Sequence, residues 1–291
     1  MTIDDKFGFE RVVHNMFVCL LDTNILSPRI PGLSIEDFFE NFYMDIASMS
    51  TKPISNYLIY LTNLLNTINI GKNLTTTPEV LDEVQKLKCI LRNRKKGLRK
   101  ITNSRSFNKF SYSFGMKEKN KRIDDFREIG TSLLGIIDKL SEISKVLSRN
   151  KHYLGLFSEQ GNLFNYNKYL ELVSDIYHSR FTADKMISPA DDGLVAASIL
   201  LLQKLRQPIG IISHDQGIRD RLMSIDHYLE KNFRESIEYG EMHELLKYIG
   251  VTIFGKIPYV PLLSTKEIQR KPSRIIPKSS KVEPQALSTV Y

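Results

Sequence analysis

The segment 14–24, HNMFVCLLDTN, decides the fold because an apolar run stops abruptly at acid and amide side chains. The apolar residues of this run occupy both alternations, which is typical of a strand buried on both faces of a parallel sheet. Asp22, Thr23 and Asn24 follow directly. We therefore expect a buried strand whose carboxyl end carries these polar side chains.

The rest of the chain alternates short apolar runs with amphipathic segments. LTTT (74–77), IGIIS (209–213) and VTIFG (251–255) predict three further strands. Apolar residues at three- and four-residue intervals predict helices over residues 35–49, 55–68, 126–147, 164–177, 191–205, 218–233 and 241–249. This order indicates an α/β fold with a mostly parallel central sheet sandwiched by helices, a Rossmann-like three-layer arrangement. The active edge of such a sheet lies at the carboxyl ends of its strands.

Capping residues mark the start of two helices. Thr77 is expected to cap a helix whose first residue is Pro78. Ser188 and Pro189, with Asp191 at the third helical position, have the form of a capping box. Both helices should therefore begin at a proline.

The composition narrows the class of protein. A hydrophobic content of 42% in 291 residues is enough for a buried core. No apolar stretch approaches the roughly 20 residues that cross a bilayer, and the first residues lack the order of a secretion signal. We expect a cytoplasmic protein without a membrane partner. Two cysteines and six scattered histidines disfavour a zinc site.

Positive charge is concentrated in one segment. The net charge is +8, and residues 86–122 contain fourteen Lys or Arg and one acid, Glu118. A charge run is usually a solvated insertion, but Phe107 and Phe110 lie within this one. Cations for phosphates beside rings for bases are what a single-stranded nucleic acid requires. We predict that these two rings bind nucleic acid together with Arg92, Arg94, Lys95, Lys96, Arg99 and Lys100.

Four acids occupy special positions in this pattern. Asp22 and Asp215 come just after predicted strands, Glu83 lies on the helix after the second strand, and Asp192 lies in the first turns of a helix. Such positions face one crevice in a doubly wound sheet. Each acid alone has a simpler explanation, such as helix capping by Asp22 and Asp215. Gathered together, the carboxylates would repel one another unless a divalent cation neutralised them.

The segments FVCLLDTNIL, TTPEVLDEV, DDGLVAAS and IISHD, in this order, resemble the motifs of PIN-domain nucleases. In that family the D-x-N pattern after the first strand, here Asp22 to Asn24, supplies a metal-binding aspartate and a supporting amide. The second acid, in T-P-x-V-x-x-E, corresponds to Glu83. Glu79 is a reserve candidate because it lies one helical turn earlier.

The third and fourth motifs complete the resemblance. The D-x-L-I-A-A motif begins at Asp192, with Asp191 as an auxiliary metal ligand, and T-x-D is matched by Ser213 to Asp215, with serine in place of threonine. The resemblance implies catalytic and metal-binding roles for Asp22, Glu83, Asp192 and Asp215. Ser213 would orient the site through its hydroxyl group.

The resemblance implies a PIN-like nuclease domain over residues 14–256, with a basic insertion at about 86–122. The Pro-, Ser- and Lys-rich tail over 262–291 is expected to be disordered. Oxygen ligands suit Mg²⁺ or Mn²⁺, so the implied activity is metal-dependent hydrolysis of single-stranded RNA, as by an endoribonuclease. The insertions exceed those of the small toxin-type members, and a toxin role is not implied.

Several properties stay open at this point. They are the RNA target, endo- or exonucleolytic action, the number of metal ions, homo-oligomer formation and a protein partner of the tail. Two alternatives remain: a catalytically silent PIN-like protein that binds RNA or joins an assembly, and a nuclease that cuts DNA. A metal-dependent phosphatase is disfavoured because Asn24 stands where such enzymes normally carry a second aspartate.

Overall fold

A computed structural model of the chain describes residues 16–28, 34–35, 38–39, 51–70, 73–102, 116–158, 160–180, 189–233, 244–250, 252–254 and 257–259. The strands are β1 (Val18–Leu21), β2 (Leu74–Thr75), β3 (Ile209–Ser213), β4 (Leu246–Gly250), β5 (Thr252–Phe254) and β6 (Ile257–Tyr259). The helices are α1 (Thr23–Leu26), α2 (Lys52–Ile70), α3 (Pro78–Thr102), α4 (Met116–Leu147), α5 (Lys151–Ser158), α6 (Gln160–Arg180), α7 (Pro189–Leu205) and α8 (Gln216–Phe233).

Four strands form one parallel sheet in the order β2-β1-β3-β4. Cys19 pairs with Leu74 of β2, Val18 pairs with Ile209 of β3, and Ile209 pairs in turn with Leu246 of β4. The predicted α/β fold with a parallel sheet is thereby confirmed.

The sheet is covered on both faces, as the apolar run in β1 predicts. Side chains alternate along this strand because successive Cβ atoms point to opposite faces. Val18 and Leu20 pack with residues of α6, α7 and α8 on one face, and Cys19 and Leu21 pack with residues of α2, α3 and α4 on the other. All four side chains are fully buried. The fold therefore has three layers, with the sheet in the middle.

The predicted helices on these faces are largely confirmed. The apolar stripe of α4 is buried along its length, at Phe126, Ile129, Leu133, Ile136, Leu140, Ile143 and Leu147. Helix α3 begins at Pro78 as predicted, and the backbone N–H of Val80 donates to Thr77 Oγ1 at 3.4 Å. The helix continues to Thr102, so the first part of the basic segment is regular helix.

The end of the sheet differs from the prediction. The helix predicted over 241–249 is wrong in its second half, because Leu246–Gly250 forms β4. The predicted strand over 251–255 contains β5, which pairs with β6 in an antiparallel hairpin rather than joining the parallel sheet. The physical reason is that β3 supplies hydrogen-bond partners to β4. A long-range pairing of this kind outweighs a helical pattern of local residues.

Some predicted features lie outside the described residues. They are most of the helix over 35–49, the cap Ser188, the rings of Phe107 and Phe110, and the tail over 262–291. Of the helices that the structure describes, none combines the length and the apolar character needed to cross a membrane.

Candidate active site

The strand order reverses at β1, so a crevice is expected at the carboxyl ends of the strands. From β1 the chain continues to β2 on one side, whereas β3 lies on the other side of β1. Such a reversal of strand order opens a crevice at the carboxyl ends of the strands, where α/β proteins bind ligands. Asp22 directly follows β1, and Asp215 follows β3 after one intervening residue. The topology thus brings both predicted acids to the same crevice.

Asp22 is buried and hydrogen-bonded. Its side chain is 1% exposed, and its Oδ2 accepts hydrogen bonds from Ser213 Oγ at 2.6 Å and Asn24 Nδ2 at 3.1 Å. The pKa of Asp22 is raised to about 7, chiefly by burial and also by the charge of Asp191, although hydrogen bonds from Ser213 and from the backbone and side chain of Asn24 lower it. Asp22 occupies the N-cap position of α1, but its shortest hydrogen bond comes from Ser213 of β3.

Asn24 joins the two aspartates. Its Nδ2 also donates to Asp215 Oδ2 at 3.2 Å. Asp215 Oδ1 accepts a hydrogen bond from the backbone N–H of Gly217 at 2.7 Å, so this aspartate does cap a helix, α8. Its other carboxylate oxygen is turned toward Asn24 and, through it, toward Asp22.

Tyr248 of β4 lies next to Asp215. Its hydroxyl donates to the backbone oxygen of Asp215 at 2.9 Å. The pKa of Tyr248 is raised to about 12, chiefly by burial and also by the charges of Asp22 and Asp215. Tyr248 therefore lies close enough to both carboxylates for their charges to act on it.

Asp191 and Asp192 form a second pair, at the start of α7. They are 8% and 2% exposed, respectively. Arg221 of α8, itself 2% exposed, donates from Nε to Asp192 Oδ1 at 2.5 Å and lies with a terminal nitrogen 3.2 Å from Asp191 Oδ2. Its guanidinium also stacks over the Tyr177 ring, 4.3 Å from the centroid. A buried cation thus neutralises one of the two charges of this pair within the fold.

The two glutamates of α3 flank these pairs. Glu83 Oε2 accepts a hydrogen bond of 2.5 Å from Oγ1 of Thr23, the residue that follows Asp22 in the chain. Glu79 Oε2 accepts one from the Tyr166 hydroxyl at 2.8 Å. Burial and the neighbouring charge of Glu79 raise the pKa of Tyr166. Glu83 is therefore tied to the β1 side of the crevice and Glu79 to the α7 side.

Gly193 allows the contact between Glu79 and α7. A Cβ atom at this position would lie 2.9 Å from the Tyr166 hydroxyl and 3.1 Å from Glu79 Oε2. A side chain at this position would displace the Tyr166 hydroxyl group. The glycine that follows Asp192 is thus part of the packing that positions Glu79.

The acids do not all meet at one point. In the described part of the chain, no three His, Cys, Asp or Glu side chains are arranged so that they could hold one metal ion. Asp22 and Asp215 nevertheless provide the kind of site that Mg²⁺ uses, because this ion commonly takes one or two carboxylates and completes its shell with water and substrate phosphates. The donor set around Asn24 therefore fits a hard divalent cation.

Three residues that contribute to the site were not predicted from the sequence, namely Tyr166, Arg221 and Tyr248. Arg221 was the one with a detectable signal, because it lies three residues after Ile218 and four before Ile225 on the buried face of α8. A charged residue on an apolar helix face is almost never buried without a partner. Tyr166 and Tyr248 carried no comparable signal, since aromatic residues on buried faces are ordinary.

The predicted basic residues lie further along α3. Successive residues of an α-helix are about 100° apart around its axis and about 1.5 Å apart along it. Arg94 therefore lies about 20° around the axis and about 17 Å along it from Glu83. Its guanidinium stacks over the Phe39 ring, 5.2 Å from the centroid. Five basic residues lie about 100° to 180° away from Glu83 around the axis, namely Arg92, Lys95, Lys96, Arg99 and Lys100.

No protein-family model, curated protein or solved structure matches the chain.

Proposed function

We propose that the chain is a metal-dependent ribonuclease of the PIN-like type, which hydrolyses phosphodiester bonds in single-stranded RNA at the crevice between β1 and β3. The single observation that carries this proposal is the convergence of Asp22 and Asp215 on Asn24 at the reversal of strand order. The motif resemblance supplies the reaction class. The hard oxygen donors favour Mg²⁺ or Mn²⁺.

Asp22 and Asp215 are the proposed metal ligands, and Asp191 is the acid of α7 proposed to act on the ion through its charge. Asp191 takes this place rather than Asp192, because Asp192 lies closer to Arg221, at 2.5 Å against 3.2 Å for Asp191, and the charge of Asp191 raises the pKa of Asp22. This choice exchanges the roles that the motif implied for the two neighbours. A bound divalent ion activates water for attack and stabilises charge on the scissile phosphate.

Neutral side chains prepare these ligands for the ion. Ser213 and Asn24 both donate to Asp22 Oδ2, which fixes the orientation of that carboxylate without cancelling its charge. Thr23 holds Glu83 beside the crevice at 2.5 Å. Glu83 is thus placed to accept a proton or to bind a water molecule of the metal shell, and Glu79 is held one turn away.

A cleavage assay tests the proposal. End-labelled single-stranded RNA is incubated with the protein and Mn²⁺, with Mg²⁺, or with EDTA, and single-stranded DNA of the same sequence is treated in parallel. We expect cleavage of RNA with either ion and none with EDTA. Equal cleavage in EDTA would overturn the metal requirement, and cleavage of DNA alone would change the substrate class.

The RNA path is proposed to follow α3. Arg94 lies on the side of the helix that carries Glu83, so it is the basic residue placed to contact a phosphate of a strand that enters the crevice. The other five basic residues lie around the helix and would bind more distant phosphates of a long strand. Phe107 and Phe110 remain predicted base contacts.

Two single variants separate these roles. We expect Arg94→Ser to weaken binding of short and long RNA alike, whereas Arg92→Ser should weaken binding of long RNA only. Each lost phosphate contact should lower the salt dependence of binding by about 0.7 in a double-logarithmic plot. Affinity measured by fluorescence anisotropy over a range of salt concentrations checks both. Unchanged affinity and unchanged slope in both variants would place the RNA elsewhere.

A catalytically silent RNA-binding protein of the same fold is the second candidate. It is favoured by one observation, that the acids of the described residues do not gather three to a single ion. The same assay distinguishes the two candidates. RNA binding that persists without any cleavage in Mn²⁺ would select the silent protein.

A further inference from the structure

Arg221 is an unusual residue for the buried face of a helix. It is 2% exposed and lies among apolar residues of α8, between Ile218 and Ile225. A buried charge without a partner is strongly unfavourable. The guanidinium must therefore have a defined role at its end of the crevice.

The partners of Arg221 are two acids that need a cation. Asp191 and Asp192 are consecutive, both are buried, and their carboxylates lie 3.2 Å and 2.5 Å from guanidinium nitrogens. Two neighbouring buried carboxylates repel each other and favour any cation between them. The planar fork of an arginine can serve both at once.

The guanidinium also reaches the other half of the site. An ideal Cβ on Gly217 would lie 3.1 Å from a terminal nitrogen of Arg221 and 3.3 Å from Asp215 Oδ1. Gly217 is therefore close both to the Asp215 carboxylate and to the guanidinium that binds Asp191 and Asp192. The stack on Tyr177 fixes the guanidinium plane from behind.

We propose that Arg221 takes the place of a second metal ion in the carboxylate cluster, so that the site binds one divalent ion rather than two. The single ion lies with Asp22 and Asp215, and Arg221 shares its one positive charge between Asp192 and Asp191. The count of one ion rests on the proposed function. The role of Arg221 as an internal counter-cation does not.

The test counts bound Mn²⁺ and measures thermal stability, with no need for RNA. Free Mn²⁺ is measured by electron paramagnetic resonance during titration of the wild type, Arg221→Met and the double variant Arg221→Met with Asp192→Asn. Arg127→Met is the matched control, since Arg127 pairs with Asp124 at 3.1 Å on the exposed face of α4. We expect one ion in the wild type, the control and the double variant, and two in Arg221→Met.

Thermal unfolding gives a second readout. Mn²⁺ should raise the unfolding temperature of Arg221→Met more than that of the wild type, because the ion replaces the missing cation. If Arg221→Met folds only with Mn²⁺, that rescue supports the proposal. If it does not fold at all, the double variant decides. It should bind its one ion more tightly than the wild type, because no arginine then offsets the charge of Asp191, and equal or weaker binding would overturn the proposal.

The remaining outcomes separate the two proposals. Two ions in the wild type, or the same count and the same Mn²⁺-dependent stabilisation in the wild type and Arg221→Met, would overturn the role of Arg221. No ion in the wild type but one in Arg221→Met would support Arg221 as a counter-cation and contradict the metal-dependent nuclease. No ion in either would overturn both.

Discussion

Two pairs of aspartates lie at the same edge of the sheet, and the fold treats them in opposite ways. Asp22 and Asp215 receive hydrogen bonds from neutral groups, chiefly the Asn24 amide. Asp191 and Asp192 are held by a buried arginine. Neutral donors orient a carboxylate but leave its charge in place, whereas the guanidinium cancels one of the two charges of the second pair. The first pair therefore still requires a cation from outside, and the second is partly neutralised by the chain itself.

The largest difference between the two aspartate pairs is expected in RNA cleavage. Asp22→Asn and Asp215→Asn are each expected to lower kcat/KM for RNA by roughly 10⁴-fold, equivalent to about 5 kcal/mol of transition-state stabilisation. Asp192→Asn should have a much smaller effect, because its carboxylate is already neutralised. Single-turnover cleavage in Mn²⁺ measures all three, with Asp124→Asn on the exposed face of α4 as a control. A loss in Asp192→Asn as large as in Asp22→Asn would mean that the pairs are equivalent.

Stability should show the opposite order. Arg221→Met is expected to lower the free energy of unfolding by about 3–5 kcal/mol in EDTA, because it leaves buried carboxylates without their cation. Arg127→Met removes an exposed ion pair and should cost at most about 1 kcal/mol. Urea denaturation at neutral pH measures both variants. If they lose the same small amount, Arg221 does not neutralise a buried pair.

The pH dependence of stability sharpens the comparison further. Burial raises the pKa of Asp22 from 3.8 to about 7, so the folded chain binds more protons than the unfolded chain between these values. Stability should therefore fall as the pH rises from about 4 through about 7. Asp22→Asn removes this loss and should gain roughly 3 kcal/mol relative to the wild type between pH 5 and pH 8 in EDTA. Urea denaturation at the two pH values checks this, and parallel curves would show that Asp22 titrates normally.

The glutamates should give the smallest effect. Glu83→Gln is expected to lower cleavage by about tenfold, or about 1.4 kcal/mol, because Thr23 fixes Glu83 beside the pair that needs the ion. Glu79→Gln should lower cleavage less, since Glu79 lies on the α7 side against Gly193 and Tyr166. Single-turnover rates with the same RNA measure the order. A larger loss in Glu79→Gln than in Glu83→Gln would assign the functional role to Glu79, one helical turn earlier.

The sequence predicts the fold well where local patterns and burial agree. The apolar runs that became β1 and β3, and the Thr77 cap of α3, are local features that survive in the structure. Residues 246–249, LKYI, are predicted as part of a helix because their strand character comes from pairing with β3. No local pattern contains that information.

The same distinction between local sequence and long-range packing applies to the candidate site. The acids Asp22 and Asp215 could be found because each stands at the end of an apolar strand, and the strand order alone brings them together. The choice between Asp191 and Asp192 could not be made, since it depends on where Arg221 lies after α8 has packed. A motif names the acids, but only the packing shows which of them are already neutralised.

The central claim, that Asp22 and Asp215 hold a divalent ion, is tested most directly by locating the ion on the chain. Fe²⁺ can replace Mg²⁺ or Mn²⁺ at such oxygen sites, and with ascorbate and peroxide it cleaves the nearby backbone. We predict cuts near residues 22–24, 191–193 and 213–217, which disappear on addition of excess Mg²⁺ and in Asp22→Asn. Cuts elsewhere, or the same cuts in Asp22→Asn as in the wild type, would contradict the account.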